Sequence, residues 1–219
     1  WHEEPEIIYF EHDSYLVDIN MEQTRIKSPC FCFINSGELH ALTSDSDQYR
    51  EQAFVFSPDV ITFAEPDPAQ ERFLLPLSEH KLAFPSFLGP EHPAFLEMQQ
   101  EFLKVRSVFF RENAINADQF TAENPISQLR IKAALLSMLS ILAEHNLLTS
   151  SEPGHNPRVE LLKAVISYIR QNYQHPLSLR ELAGLAGMNE QYFCRFFKKS
   201  LGKTPVSYIN DFRIRHAAT

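Results

Sequence analysis

Between Ser178 and Gly202 the chain reads SLRELAGLAGMNEQYFCRFFKKSLG, an order of residues that lays out two short helices and a sharp turn between them. Ser178 and Glu181 have the S-x-x-E spacing of a capping box, in which each side chain satisfies a backbone N–H that a helix start leaves open. Leu179, Leu182, Ala183 and Ala186 follow at helical spacing and give this helix one apolar face. Gly187 stands where the chain must turn through positive φ, Met188 can fill the angle, and Asn189 is a good N-cap for the next helix. The pattern is that of a helix-turn-helix.

In the second helix Phe193, Phe196, Phe197 and Leu201 share one side, whereas Gln191, Cys194, Arg195 and Lys198 recur at i, i+3, i+4 and i+7 on the other. A helix that reads DNA needs this division: one side packs, residues near its N-terminus reach base edges, and basic residues farther along meet phosphate. Gln191 and Arg195 are expected to read bases, since Gln pairs bidentately with adenine and Arg with guanine. Arg180, Lys198, Lys199 and Lys203 are expected at phosphates, with Tyr192 at a sugar or a thymine methyl. Glu190 puts an acid at the helix start, where it repels phosphate unless it accepts from a cytosine amino group. Cys194 is a weak hydrogen-bonding partner for a groove. A helical hairpin with a solvated polar face is the plainer alternative.

Lys203-Thr204-Pro205 supply an N-cap and an N1 proline for a third helix, Val206 to about Ala218, with Tyr208, Ile209, Phe212 and Ala217 as its buried side. The whole run, LSLRELAGLAGMNEQYFCRFFKKSLGKTPVSYINDFRIRHA, resembles the first half of the DNA-binding domain of AraC-type bacterial transcription regulators. The matching pieces are L-x-x-L-A, Y-F-x-R-x-F-K-K, G-x-T-P, the Tyr208-Ile209 pair and R-I-x-x-A. The resemblance implies double-stranded DNA as partner. In that family a second helix-turn-helix follows, so residues 158–219 are expected to be the first half only, apparently truncated, and the chain from Trp1 to Thr219 part of a longer protein.

The formal net charge of −8 runs against DNA binding until it is divided. From Pro157 onward ten Lys or Arg stand against four Asp or Glu, a balance of +6; before it ten stand against twenty-four, −14. The C-terminal piece has the electrostatic footprint of a nucleic-acid binder, and the acidic piece needs another role. At 44% hydrophobic and 22% charged residues, the 219-residue chain has room for one large or two modest globular domains. It carries no run of about 18 apolar residues and no basic-then-apolar leader, so no membrane partner and a cytoplasmic location are expected. Cys30, Cys32 and Cys194 fit neither a disulfide framework nor a zinc spacing and read as buried free thiols.

Residues 1 to about 63 read as short strands between turns: Glu6–Phe10, Tyr15–Ile19, Thr24–Lys27, Cys30–Ile34, Leu39–Leu42, Arg50–Phe56 and Val60–Phe63. Such spacing argues a sandwich or barrel. WHEEPEIIYF, INSGELH and LPLSEHKLAFPSFLGPEHPAF are similar to parts of the cupin-like sensing barrel at the N-terminus of many AraC-type regulators, which extends the resemblance over nearly the entire chain. It implies a ligand pocket at His2, Glu6 and His40, with Tyr9 and Glu38 beside them, although strand alternation turns Tyr9 away from Glu6. A carboxylate, imidazoles and aromatic surface suit a polyhydroxylated effector, a sugar being the expected class. Catalytic cupins hold a metal through two histidines spaced H-x-H, a glutamate and a later histidine; His2, Glu6 and His40 could stand for three of these, and the fourth would precede Trp1. The regulators usually keep this architecture for small-molecule binding without metal, so neither metal nor cofactor is expected.

From Glu91 the period becomes helical. Phe95, Met98, Phe102, Val105 and Phe109 make a narrow apolar seam, and a second helix, about Ile126 to Leu147, is apolar round much of its girth. In the family such helices pair between subunits, which implies a homodimer through Leu135, Met138, Leu139 and Leu142; internal core packing is the alternative. TSSEPGHNP, residues 149–157, is a linker by composition. Arg158 to Tyr173 supports the helix-turn-helix through Val159, Leu162, Val165, Ile166 and Ile169.

The expected fold class is therefore mixed α and β: a cupin-like antiparallel β-barrel over 1–90, a helical dimerisation layer over 91–148, the linker over 149–157 and an all-α helix-turn-helix domain over 158–219. The expected function is a ligand-responsive, sequence-specific transcription regulator, not an enzyme, in which linker and helical layer carry the ligand's effect to the DNA-binding domain. A ligand can do so only by binding two conformations unequally. The competing readings are a cupin-type metalloenzyme, which leaves the helix-turn-helix unexplained, and an interaction module lacking DNA binding.

Overall fold

The computed structural model describes residues 1–44, 51–112, 124–151 and 156–217. Six strands open the chain: β1 (Glu6–Phe10), β2 (Ser14–Ile19), β3 (Glu22–Lys27), β4 (Cys30–Ile34), β5 (His40–Ser44) and β6 (Glu51–Val55). Arg50, expected to start β6, lies outside the described residues, as do 152–155 of the expected linker and Ala218. Where a further strand was expected at Val60–Phe63, the chain makes a 3-10 turn at Pro58–Ile61. Pro58 fixes φ at its first position, and Ser57 caps it by accepting from the Asp59 N–H. A π-helical stretch, Gln70–Leu74, leads into the short α1 (Leu75–Ser78), followed by two-residue strands β7 (Leu82–Ala83) and β8 (Phe87–Leu88). Then come α2 (Ala94–Glu112), α3 (Pro125–Glu144), β9 (Thr149–Ser150), α4 (Pro157–Asn172), α5 (Leu179–Leu185), α6 (Glu190–Leu201) and α7 (Pro205–Ala217).

The closed barrel expected from the resemblance is not formed. Among the described residues one antiparallel sheet runs β6-β1-β4-β8 and a second runs β3-β2-β5, with no ladder joining them. Asn20 and Met21, both at positive φ, make the tight β2–β3 hairpin, and β8 is too short to extend the first sheet toward the second. The two sheets pack through Ile8, Phe10, Tyr15, Val17, Ile26, Cys30, Cys32 and Ile34, so these side chains fill the space between them. On the other face of β1 and β4, Ile7, Tyr9, Phe31 and Phe33 meet the helices. Burial of both faces explains why β1 and β4 are apolar runs rather than alternating ones.

α2 and α3 lie on that outer face. Phe95, Met98, Phe102 and Val105 of α2 and Ala134, Leu135, Met138, Leu139 and Leu142 of α3 join the same core as Tyr9 and Phe31. Leu135, Met138, Leu139 and Leu142, expected to meet a second subunit, are thus buried inside this one, because the apolar seam of α2 and the sheet already cover that side of α3. The outward side of α3 leaves Ile126 62% and Leu129 67% exposed. By length and composition alone α3 is apolar enough to cross a membrane. Its buried side shares one core with α2 and the outer face of the sheet, which accounts for that composition.

The expected linker opens as structure: Thr149–Ser150 pairs with Leu82–Ala83. α3, α4 and α7 start alike, with Asn124, Asn156 or Thr204 accepting from the backbone ahead of a proline at the first helical position. α4 to α7 close around Leu162, Val165, Ile166, Ile169, Leu182, Phe193, Phe197 and Ile209. Ala217, expected on the buried side of α7, is exposed. Leu39 from the sheet domain is buried in this same cluster, and Trp1 and Met21 pack against it. The sheet domain and the helix-turn-helix therefore touch directly, a contact that the linker reading did not foresee.

Candidate functional site

α5 and α6 are fixed by the local chemistry read in the sequence. Ser178 accepts from the Glu181 N–H at 3.1 Å while Glu181 accepts from the Ser178 N–H at 3.5 Å. Gly187 has φ +61°, Met188 donates to the Ala183 carbonyl at 2.9 Å, and Asn189 caps α6 by accepting from Tyr192 N–H at 2.9 Å. Gly202, at φ +70°, ends α6 in the left-handed conformation. Across α6, Phe193 and Phe197 are fully buried, while Glu190, Gln191, Tyr192, Arg195, Lys198 and Lys199 are exposed; Cys194 is half-buried between the two sides. Arg180 on α5 is exposed as well. Lys203 is exposed but engaged, its ammonium 2.6 Å from Asp211. Arg213, for which no role was expected, donates to the carbonyls of Tyr173 and His175 at 2.7 Å and clamps the α4–α5 connection.

At the end of the space between the sheets stand three of the five residues expected at the ligand pocket. Glu6 opens β1 on the face it shares with Ile8 and Phe10, His2 comes from the segment before it, and His40 opens β5 opposite Ile19. The Glu6 carboxylate lies 3.4 Å from Nε2 of both His2 and His40, and the imidazole centroids are 5.0 Å apart. Each ring is held from behind, since His2 Nδ1 is 2.6 Å from the Glu4 carbonyl and His40 Nδ1 is 3.0 Å from the Glu38 carbonyl. A carbonyl only accepts, so each Nδ1 carries a proton and donates it. In the neutral imidazole Nε2 then keeps a lone pair, and two nitrogens and a carboxylate aim lone pairs at one point. Burial holds the His40 pKa below its usual value, although the Glu38 carbonyl and the Glu6 charge act in the opposite sense.

Tyr9 and Glu38 do not join that trio. Tyr9 faces α2, where Gln99 donates to its hydroxyl at 2.5 Å, and burial raises its pKa against the effect of that bond. Glu38 braces the β4–β5 loop, accepting from the Asn35 N–H at 2.8 Å and from the Asn20 amide at 3.3 Å. Burial raises its pKa, while those bonds lower it. Asn35 ties the same loop to Phe84 in both directions, and Gly37, at φ +72°, donates to the His2 carbonyl at 2.9 Å. Glu38 also lines a cleft of about 750 Å³ between the sheet domain and the start of α4, with Asn20, Glu22, Thr24, Ser86 and Asn156. Sequence reasoning missed this cleft because its walls come from both domains. Of the thiols, Cys30 and Cys32 are buried, and burial pushes Cys30 up to about 11.

Comparison with known proteins agrees with the C-terminal geometry. Residues 169–210 match the AraC family of bacterial regulatory helix-turn-helix proteins. Over 217 residues the chain is 22% identical to an uncharacterized HTH-type transcriptional regulator, YdeC, of Bacillus subtilis (strain 168), covering 98% of this chain and 69% of that protein. Among solved structures, ToxT from Vibrio cholerae aligns with 95% of this chain and 90% of its own at 14% identity and a TM-score of 0.35. Wild-type ToxT from strain SCE256, with unsaturated fatty acid bound, aligns with 95% of this chain and 87% of its own at 12% identity and a TM-score of 0.38. Residues 169–210 are thus an AraC-family helix-turn-helix.

Proposed function

We propose that this chain is a ligand-responsive AraC-type transcription regulator and reads its operator through α6. The observation that carries the DNA reading is the division of that helix, with Phe193 and Phe197 inside and Gln191, Arg195, Lys198 and Lys199 outside. Gln191 and Arg195 read base edges, Arg180, Lys198, Lys199 and Lys203 meet phosphate, and Tyr192 lies along the groove wall. Glu190 stands against a cytosine amino group. Fluorescence anisotropy with a random-sequence duplex pool, followed by selection from that pool, tests this; a chain that binds no duplex at low salt removes it.

A small polar effector, of the carbohydrate class, is assigned to the cleft that Glu38, Asn20, Thr24, Ser86 and Asn156 line. What supports this is a size within the usual range for ligand sites and a lining in which hydroxyl, amide and carboxyl groups stand beside the apolar Ile19, Phe87 and Pro157. Asn156 caps α4, so a ligand there touches both domains at once. A panel of mono- and disaccharides, read by thermal shift and by change in DNA affinity, decides the class; no shift from any sugar removes it and leaves DNA binding standing. The homodimer belongs to this proposal too, through the outward side of α3 at Ile126 and Leu129. Sedimentation as a strict monomer at micromolar concentration excludes it.

A further inference from the structure

The trio at the end of the sheet domain is built like a cation site rather than like a wall of a sugar pocket. Its three donor atoms lie within 4.8 Å of one another. The two N···O separations are 3.4 Å, and donors held about 2.1 Å from a tetrahedral ion stand about 3.4 Å apart. Both imidazoles have their Nδ1 protons committed to backbone carbonyls, the outer arrangement that fixes the tautomer of metal-ligating histidines and leaves Nε2 free to bind. Without a proton or a cation between them, the Nε2 lone pairs and the carboxylate repel. The side chains of His2, Glu6 and His40 are 29%, 14% and 15% exposed, so an ion can enter and keep open positions for water or an effector group. Two imidazoles and one carboxylate favour late first-row divalent ions over magnesium or calcium.

We propose that His2, Glu6 and His40 bind one divalent transition-metal ion, and that the ion steadies the two segments through which the sheet domain grips the DNA-binding domain. His2 is followed back by Trp1, and His40 by Leu39; Leu39 is buried against α4 to α6, and Trp1 packs beside it with the Lys163 ammonium 5.6 Å from its ring. An ion that joins His2 to His40 therefore joins Trp1 to Leu39. This second half rests on the regulator reading; the metal site itself does not.

The test uses Zn²⁺ and Co²⁺ titration of the 219-residue chain, because Trp1 is its sole tryptophan and its fluorescence reports on the grip directly. The expected result is one Zn²⁺ per chain with a saturable change in Trp1 emission, and visible absorption on Co²⁺ binding, with no response to Mg²⁺. Glu6→Gln and His40→Ala should each weaken Zn²⁺ binding by more than about 100-fold, beyond the 10- to 100-fold typical of losing an outer partner. His92→Ala breaks the imidazole pair His92–His145, whose centroids are 5.4 Å apart, and should leave the stoichiometry at one. Absence of saturable binding, or binding that Glu6→Gln and His40→Ala leave unchanged, overturns the site. Glu6→Gln is nearly isosteric and carries the test where His40→Ala does not fold. Affinity for the random-sequence duplex is measured with and without Zn²⁺. Stoichiometric metal with unchanged DNA affinity and Trp1 emission overturns the coupling, whereas a metal-binding chain that binds no DNA at all overturns the regulator reading instead.

Discussion

α6 and the His2–Glu6–His40 trio each gather polar side chains in one place, and they are built in opposite ways. In α6 twelve consecutive residues hold both the packing side and the contacting side, sorted by the helical period. The trio is assembled from the segment before β1, from β1 itself and from the start of β5, so only the strand topology brings it together. A local site survives any rearrangement that keeps its helix; a non-local one depends on the register of the sheets. The two meet at Leu39, one residue from His40 and buried in the core that holds α6.

The largest way to test that meeting point is to remove core volume on either side of it. Phe197→Ala should destabilise the α4–α7 unit by about 3–5 kcal/mol, the usual cost of an aromatic deleted from a close-packed core. Leu39→Ala, although it lies in the other domain, should destabilise the same unit by about 2–5 kcal/mol. Urea unfolding followed by hydrogen exchange at α6 amides measures both. If Leu39→Ala leaves α6 protection unchanged, the two regions are independent and the contact at Leu39 transmits nothing.

Substitutions on the exposed side of α6 sharpen the contrast at smaller cost. Arg195→Ala should lose about 1–3 kcal/mol on the preferred site and relax preference at one base pair. Uniform weakening on all sequences would make Arg195 a phosphate contact. Lys198→Ala should weaken all duplexes alike and reduce the slope of log affinity against log salt by about 1. Ser178→Ala, which removes half of the capping box of α5, should cost about 1 kcal/mol of stability.

How much of this was legible follows from the same contrast. The caps at Ser178 and Asn189, the turn at Gly187, and the split of α6 are all set within a few residues, and the structure has them where the sequence implied them. The strands β1 to β6 were legible for the same reason, as was the opposite orientation of Tyr9 and Glu6 along β1. Barrel closure was not, because closure depends on which edges meet, and neither β6 nor β8 carries a sequence sign of its partner. The burial of Leu135, Met138, Leu139 and Leu142 was not legible either: an apolar helix face is the same in sequence whether the sheet of its own chain or a second subunit covers it. The start of the linker misled through composition, since the backbone of Thr149–Ser150 can pair with β7 whatever its side chains. Grip through Trp1 and Leu39 joins residues far apart in the chain, and nothing in their local sequence announces it.

The smallest effect separates two descriptions of the trio that the distances alone leave level. If His40 were an imidazolium paired with Glu6, folding would raise its pKa and stability would grow as pH fell. Burial instead holds that pKa down, against the Glu38 carbonyl and Glu6, which raise it, and together with the Trp1 amino group and His2, which lower it. Below the unfolded value of about 6.5 the unfolded chain then binds more protons than the folded one, so stability is level above that pH and declines as pH falls below it. Unfolding midpoints from pH 8 to pH 5.5, measured in EDTA to keep metal out, should decline more in the parent than in His40→Gln. A parent that gains stability in acid relative to His40→Gln would mean that the ion pair wins over burial. The trio would then be satisfied by its own proton, and the reason for a cation to enter it would disappear.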